Sequence, residues 1–132
     1  MNTTYHAAVW LDHSEARIFQ IAKDGFDETV LHADKPHRHL HRKTGPGAVS
    51  GRRDEKGDHA FYHEVAQLLG DSQEILVLGP STAKLEFIKH VHKHHAGMEA
   101  KIVGVETVDH PTDRQVVAYA RDYFEAKDQL KK

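Results

Sequence analysis

The feature that most constrains the fold is a short apolar run in the second half of the chain. Residues 73–78, Gln-Glu-Ile-Leu-Val-Leu, contain four large aliphatic side chains in succession and are followed by Gly79-Pro80. Successive side chains of a strand point to opposite faces, so such a run is stable only where both faces of the sheet are covered. It therefore predicts a strand in a sheet with helices packed on both sides.

The N-terminal part of the chain predicts a three-stranded antiparallel meander. Residues 5–11 are typical of a strand that ends at Asp12, and residues 16–22 alternate apolar and polar side chains over much of their length. Residues 26–33 follow the pair Asp24-Gly25, which favours a tight hairpin turn.

Helical periodicity accompanies the later strands. Residues 58–69 place four apolar side chains on one face: Phe61, Val65, Leu68 and Leu69. A second helix is predicted from the turn at 79–82 to about His95, with Gly97 as its natural stop. After a predicted strand at 100–106, Thr112-Asp-Arg-Gln115 matches a capping box that opens a last helix, whose tail we expect to fray from residue 127.

The predicted order of elements is βββαβαβα, which places the chain in the α/β class. A meander followed by strand–helix units implies a mixed sheet, antiparallel on one side and with crossover connections on the other. We therefore predict a ribonuclease-H-like fold of three layers, α/β/α. At 132 residues the chain has the length of one domain, 1–132.

Composition excludes several classes of protein. The sequence contains no cysteine, so neither a disulfide framework nor a thiolate metal site can form. No stretch approaches the ~20 apolar residues of a membrane helix, and the N-terminus has no signal-peptide pattern. We expect a cytoplasmic protein without a membrane partner.

Positive charge is concentrated in one segment. The whole chain has a formal net charge of −2, whereas residues 34–56 contain seven basic and three acidic side chains, a net charge of +4. Because the stretch is aperiodic and contains four glycines up to residue 57, we predict a long basic loop at 34–57. Such a loop favours an anionic partner, and a solvated connector is the alternative.

RNA is the predicted partner of this loop. Its glycines let the backbone approach a partner closely. Its basic side chains suit phosphate oxygens, and arginine also stacks on unpaired bases. The candidate RNA-binding residues are Arg38, Arg42, Lys43, Arg52, Arg53 and Lys56.

Histidines supply the candidate metal ligands. His37, His39 and His41 alternate, so in an extended chain all three point to one side. His59 and His63 are spaced i, i+4 on a predicted helix, a spacing that suits a shared ion, although a signature such as HExxH is absent. Solvated surface histidines are the alternative. We expect no cofactor other than a metal at these positions.

Four more histidines lie late on the second long helix, at positions 90, 92, 94 and 95. At about 100° per residue, His92 and His95 fall on the apolar side with Val91, so we expect them to pack against the core. His90 falls with Glu86 on the polar side.

The strand-to-helix turn after residue 78 offers a candidate anion site. Free backbone N–H groups at a helix start, the hydroxyls of Ser81 and Thr82, and Lys84 suit a phosphate. The turn is not a Walker motif, and ordinary helix capping by Ser81 or Thr82 is the alternative.

A nuclease site is incomplete in this sequence. Ribonuclease H chemistry needs several carboxylates that converge on two metal ions. Asp12 ends the first predicted strand and Glu64 lies on the first helix, but Gly79-Pro80 stands where a further acid is needed. We therefore interpret Asp12 as a residue that initiates a turn.

Three stretches of the chain carry a family resemblance: residues 8–19, the loop leading into 59–66, and residues 75–87 continued by 101–110. On these stretches the chain resembles the central domain of archaeo-eukaryotic peptide-chain release factors and their Pelota-like relatives. More closely, it looks like a group of short bacterial proteins that are labelled translational machinery proteins.

The resemblance implies a role at the ribosome. In release factors, the loop between the third strand and the first helix carries a Gly-Gly-Gln motif that promotes peptidyl-tRNA hydrolysis. Here that loop has Gly45-Pro-Gly47 and Gly51-Arg-Arg53 and contains no glutamine. Pelota-like relatives also lack the motif and act on stalled ribosomes. The resemblance therefore implies a ribosome- or tRNA-binding domain without intrinsic catalysis.

Three alternatives stay open at this point. The first is a divergent peptidyl-tRNA hydrolase, or a release or rescue factor, that uses histidine in place of glutamine. The second is a metal-binding module built on the histidine groups. The third is a homo-oligomer whose loop serves only protein contacts.

Overall fold

The computed structural model describes residues 5–33 and 55–130, and the side chains of residues 5–33 and 59–127 within them. The strands are β1 (His6–Leu11), β2 (Glu15–Ile21), β3 (Phe26–His32), β4 (Glu74–Gly79) and β5 (Ile102–Thr107). The helices are α1 (Glu55–Leu68), α2 (Ala83–His94), the one-turn α3 (Ala96–Glu99) and α4 (Asp113–Leu130). The described elements confirm the predicted order and add α3.

The five strands form one mixed sheet in the order β3-β2-β1-β4-β5. The pairs β1–β2 and β2–β3 are antiparallel, whereas β1–β4 and β4–β5 are parallel. This strand order, with the meander on one side and the crossover strands on the other, confirms the ribonuclease-H-like fold.

Helices cover the two faces of the sheet and create two apolar cores. On one face, α1, α2 and Met98 of α3 pack against one set of strand side chains, which includes Val9 and Val77. On the other face, α4 packs against the alternate set, which includes Trp10 and Leu76. All six residues of β4 are buried, so the apolar run does mark a strand enclosed from both sides.

The edge strand β3 is covered less completely. Leu31 packs against the core under α1, but Phe26 and Val30, on the other face, are 39% and 43% exposed. The neighbouring strand β2 is buried on both faces, with Ala16 and Ile18 in one core and Phe19 and Ile21 in the other, so an open face is found only at the edge strand β3.

Two predicted helix boundaries differ from the structure. The second long helix does end near His95, but Gly97 is not its stop, because it lies inside α3. The first helix begins at Glu55, three residues before its predicted start at residue 58. The last helix is assigned to Leu130, and fraying of its tail from residue 127 stays a prediction. Within the described residues, no helix combines the length and apolar character that crossing a bilayer requires.

Candidate functional site

The carboxyl ends of β1 and β4 lie side by side at the centre of the sheet. After β1 the chain turns toward β2, and after β4 it turns the other way, toward β5. The edge between these two strand ends is therefore a topological switch point, where α/β sheets commonly bind ligands. Gly79 permits this close approach, since a Cβ atom there would collide with the carbonyl oxygen of Leu11.

Asp12 shapes the turn at this edge. Its Oδ1 accepts hydrogen bonds from the backbone N–H of Ser14 at 2.8 Å, the Ser14 hydroxyl at 3.0 Å and the backbone N–H of Glu15 at 2.9 Å. Burial alone would raise the pKa of Asp12, but these bonds, together with His110, outweigh it and lower the pKa. The interpretation of Asp12 as a turn residue is confirmed.

The nuclease carboxylates do not assemble. Among the described residues, neither Asp12 nor Glu64 belongs to a group of three potential metal ligands that lie close to one another. Glu64 is exposed on α1, and Gly79-Pro80 provides no acid after β4.

The predicted anion site lies at the same edge, where α2 begins. Thr82 occupies the N-cap position but makes no side-chain capping hydrogen bond, so the capping interpretation is wrong for this residue. Lys84 is buried, and its ammonium donates to the carbonyl oxygen of Ser81 at 2.7 Å. Phosphate binding by Ser81, Thr82 and Lys84 stays a prediction.

A cavity of about 300 Å³ lies where β4 and the start of α4 meet. Its lining consists of Leu78, Val108, Pro111, Gln115, Val116 and Tyr119. Because these side chains offer almost no charge or nucleophile, the cavity does not suggest chemistry.

The most distinctive polar cluster of the described structure lies between α1 and α2. It contains five histidines, which we call the histidine cluster: His59, His63, His90, His94 and His95. Two groups of three within it have potential ligand nitrogens within 4.8 Å of one another, His59–His90–His94 and His63–His90–His95. His90 is common to both groups.

His90 is the buried centre of this cluster. It is 7% exposed, and its Nε2 atom is buried without a hydrogen-bond partner. Burial, and then the neighbouring histidines, lower its pKa to about 4, so the ring is neutral at physiological pH. The same causes lower the pKa of His95. A neutral imidazole is the form that binds metal ions.

The structure brings together only part of the predicted metal set. His59 and His63 join the histidine cluster, whereas His37, His39 and His41 lie outside the described residues. The i, i+4 spacing of His59 and His63 is repeated on α2 by His90 and His94, and metal binding by His59 and His63 stays a prediction.

The predicted orientation of α2 was wrong. Its buried residues are Ala83, Lys84, Phe87, His90 and Val91. His92 instead points outward, with its side chain 72% exposed and its Nδ1 2.8 Å from Glu99. Leu85 is 52% exposed. The helix is therefore rotated relative to the prediction, because α1 packs over the side of α2 that carries His90.

The side chains of the predicted RNA-binding residues lie outside the described part of the structure. Arg38, Arg42, Lys43, Arg52 and Arg53 lie outside the described residues, and Lys56 lies in α1 without a described side chain. The last residue of β3, His32, pairs with Glu15, which follows the β1–β2 turn. The basic segment follows β3 in the chain.

Comparison with solved structures shows what the fold is similar to. An archaeal translation termination factor, aRF1, matches 98% of this chain with a TM-score of 0.59 and 14% sequence identity. Archaeoglobus fulgidus Pelota matches 98% with a TM-score of 0.60 and 16% identity. Dom34 of S. cerevisiae matches 97% with a TM-score of 0.52 and 10% identity.

These likenesses concern the fold. The chain spans about two fifths of the length of each of these proteins, 41%, 36% and 39% respectively. They confirm, for the fold, the resemblance to the central domain of release factors and Pelota-like proteins. No protein-family model matches the sequence, and no curated protein matches it. Membership of the bacterial group stays a prediction.

Proposed function

We propose that this protein is a translation-associated domain that binds RNA of the ribosome or tRNA through its basic segment, residues 34–56, without intrinsic catalysis. The observation that supports it is the shared fold over nearly the whole chain with aRF1, a translation termination factor, and Dom34, a translation termination-like factor involved in RNA quality control pathways. The cytoplasm is the compartment that this role implies.

Charge supports RNA as the partner. The basic segment has a net charge of +4, while the chain as a whole has −2. Phosphate contacts by Lys and Arg provide most of the affinity for nucleic acid, with no need for a basic whole molecule. The remaining surface is acidic on balance and repels RNA, so the segment orients the domain on its partner.

The absence of glutamine from residues 34–57 supports binding without peptide release. The described residues also provide no converging carboxylates for nuclease chemistry. We therefore expect the domain to occupy a site on the ribosome without cleaving an ester or phosphodiester bond there.

Co-sedimentation with ribosomes at low and moderate salt tests this proposal. The wild type should pellet with ribosomes at low salt and less at moderate salt. A variant with Arg42, Lys43, Arg52 and Arg53 changed to Ala should lose most of this binding. The matched control removes four exposed cations elsewhere, Lys23, Lys89, Lys93 and Arg114, and should pellet like the wild type. Absence of the wild type from the ribosome pellet, together with no tRNA binding, would overturn the proposal.

A further inference from the structure

We infer that the histidine cluster binds one divalent transition-metal ion of the Zn²⁺ class, with His59, His90 and His94 as the protein ligands. This site is independent of the proposed RNA-binding function, because it lies between α1 and α2 and uses none of the basic residues. Its ligands come from two helices that are brought together only by the fold.

The donor atoms define the class of ion. Imidazole nitrogen is a ligand for Zn²⁺, Ni²⁺, Co²⁺ and Cu²⁺, whereas Ca²⁺ and Mg²⁺ require oxygen ligands. Three histidines with a fourth position left to water is an established zinc coordination set. The cluster contains no carboxylate in either group of three, which further disfavours the oxygen-preferring ions.

The unpartnered nitrogen of His90 points independently to a ligand. A buried polar atom without a hydrogen bond costs free energy, and native proteins rarely leave one. Nε2 of His90 is such an atom, and the ring that carries it is in contact with the rings of the other four histidines. A metal ion coordinated there would satisfy the nitrogen lone pair.

Geometry selects one of the two groups. The ring centroids of His59, His90 and His94 form an equilateral triangle with sides of 4.8 Å. The rings of His63, His90 and His95 are separated by 5.0 to 6.3 Å, and His63 Nδ1 and His95 Nε2 are 3.2 Å apart, within hydrogen-bonding distance of each other. One nitrogen of His90 can ligate one ion, so we expect a single ion in the more compact group.

Only small side-chain movements are needed to close the site. Tetrahedral Zn²⁺ with Zn–N bonds of about 2.0–2.1 Å holds its ligand nitrogens about 3.4 Å apart. The nitrogens of the group already lie within 4.8 Å of one another. His59 and His94 are exposed, so they are free to rotate inward and leave an entry path from solvent, while His90 stays in place.

Calorimetric titration of the full-length, tag-free, chelator-treated protein with ZnCl₂ tests the inference. We expect one Zn²⁺ per chain with a Kd below roughly 1 μM, and a rise in Tm on binding. The same protein with Co²⁺ should show the visible absorption of a tetrahedral nitrogen-ligated site.

Variants separate this site from the other histidines. His59→Ala/His94→Ala should weaken Zn²⁺ binding by more than about a hundredfold, which exceeds the effect of removing a residue that only hydrogen-bonds to a metal ligand. His63→Ala/His95→Ala and the exposed control His92→Ala should each retain the one-to-one binding. Because His59 and His94 are exposed, circular dichroism should show the double variant to be folded.

Three results would overturn the inference. One is the absence of Zn²⁺ binding in the micromolar range by the wild type. The second is unchanged Zn²⁺ binding by His59→Ala/His94→Ala together with loss of Zn²⁺ binding in a variant whose His37, His39 and His41 are changed to Ala. The third is a loss of Zn²⁺ affinity in His63→Ala/His95→Ala that equals the loss in His59→Ala/His94→Ala.

Discussion

Gly79 shows how a single residue sets the spacing at the carboxyl edge of the sheet. A Cβ atom at this position would meet the backbone carbonyl of Leu11, which cannot rotate away because it belongs to the paired strand β1. The sequence presented Gly79-Pro80 only as a turn signal. The structure adds that the glycine is required for contact between two central strands.

Gly79→Ala should destabilise the fold by about 1–3 kcal/mol, since overpacking in a rigid environment forces the backbone to shift. Urea denaturation of wild type and variant measures this difference. Gly25→Ala is the matched control, because no atom lies within 4 Å of a Cβ there, and it should leave the free energy of unfolding nearly unchanged. Equal stability of Gly79→Ala and wild type would contradict the packing argument.

Asp12 provides the pH-dependent prediction at the residue scale. Its pKa is lowered in the folded protein, so ionised Asp12 stabilises the fold above the pKa of the unfolded chain. This contribution is lost as the pH falls through the folded pKa. Asp12→Asn should therefore be less stable than wild type, by about 1 kcal/mol at neutral pH, and the difference should shrink below about pH 4.

Urea denaturation between pH 3 and pH 7 measures the Asp12 effect. Asp24→Asn, at an exposed position in the β2–β3 turn, controls for the general loss of one negative charge. A stability difference between Asp12→Asn and wild type that stays constant over this range would contradict the assigned role of the carboxylate.

At the scale of elements, the start of α4 was predicted correctly to the residue. The backbone N–H of Thr112 donates to Gln115 Oε1 at 2.9 Å, and the backbone N–H of Gln115 donates to Thr112 Oγ1 at 3.2 Å. Both bonds are local in sequence, which is why a four-residue motif was sufficient to identify them.

Thr112→Ala should destabilise the protein by about 1 kcal/mol, because it removes the side-chain acceptor at the helix start. Thr82→Ala is an internal control at the N-cap of α2, where the side chain makes no capping hydrogen bond, and it should change stability little. Thermal unfolding of the two variants compares them directly. A larger loss in Thr82→Ala than in Thr112→Ala would contradict this assignment.

The contacts that β1 and β2 make with the start of α4 could not be predicted from sequence patterns. Arg17 of β2 donates to Asp113 at 2.6 Å and to the carbonyl of Pro111 at 3.1 Å, while its guanidinium lies 4.6 Å from the ring centre of Trp10. Trp10 in turn donates to the carbonyl of Asp109 at 2.7 Å. These bonds connect residues more than ninety positions apart, so they depend on the complete sheet.

At the scale of the whole molecule, the chain separates an acidic body from a basic segment. Each phosphate contact contributes about −0.7 to −0.9 to the slope of log K against log salt concentration, so the quadruple variant of Arg42, Lys43, Arg52 and Arg53 should flatten that slope by roughly 3. The control variant of four other cations should keep the wild-type slope. Binding assays over a salt series distinguish these outcomes.

Sequence patterns were sufficient to predict the α/β class, the element order, the buried central strand and the capping box, because each depends on periodicity or on bonds between near neighbours. The spacing of His59 and His63 also singled out two of the five residues of the histidine cluster. The position of His90 beside these two histidines could not be predicted in this way, since the rotation of α2 is set by packing against α1 and the sheet. A histidine cluster built from two helices depends on long-range packing, and spacing along one helix shows only the members on that helix.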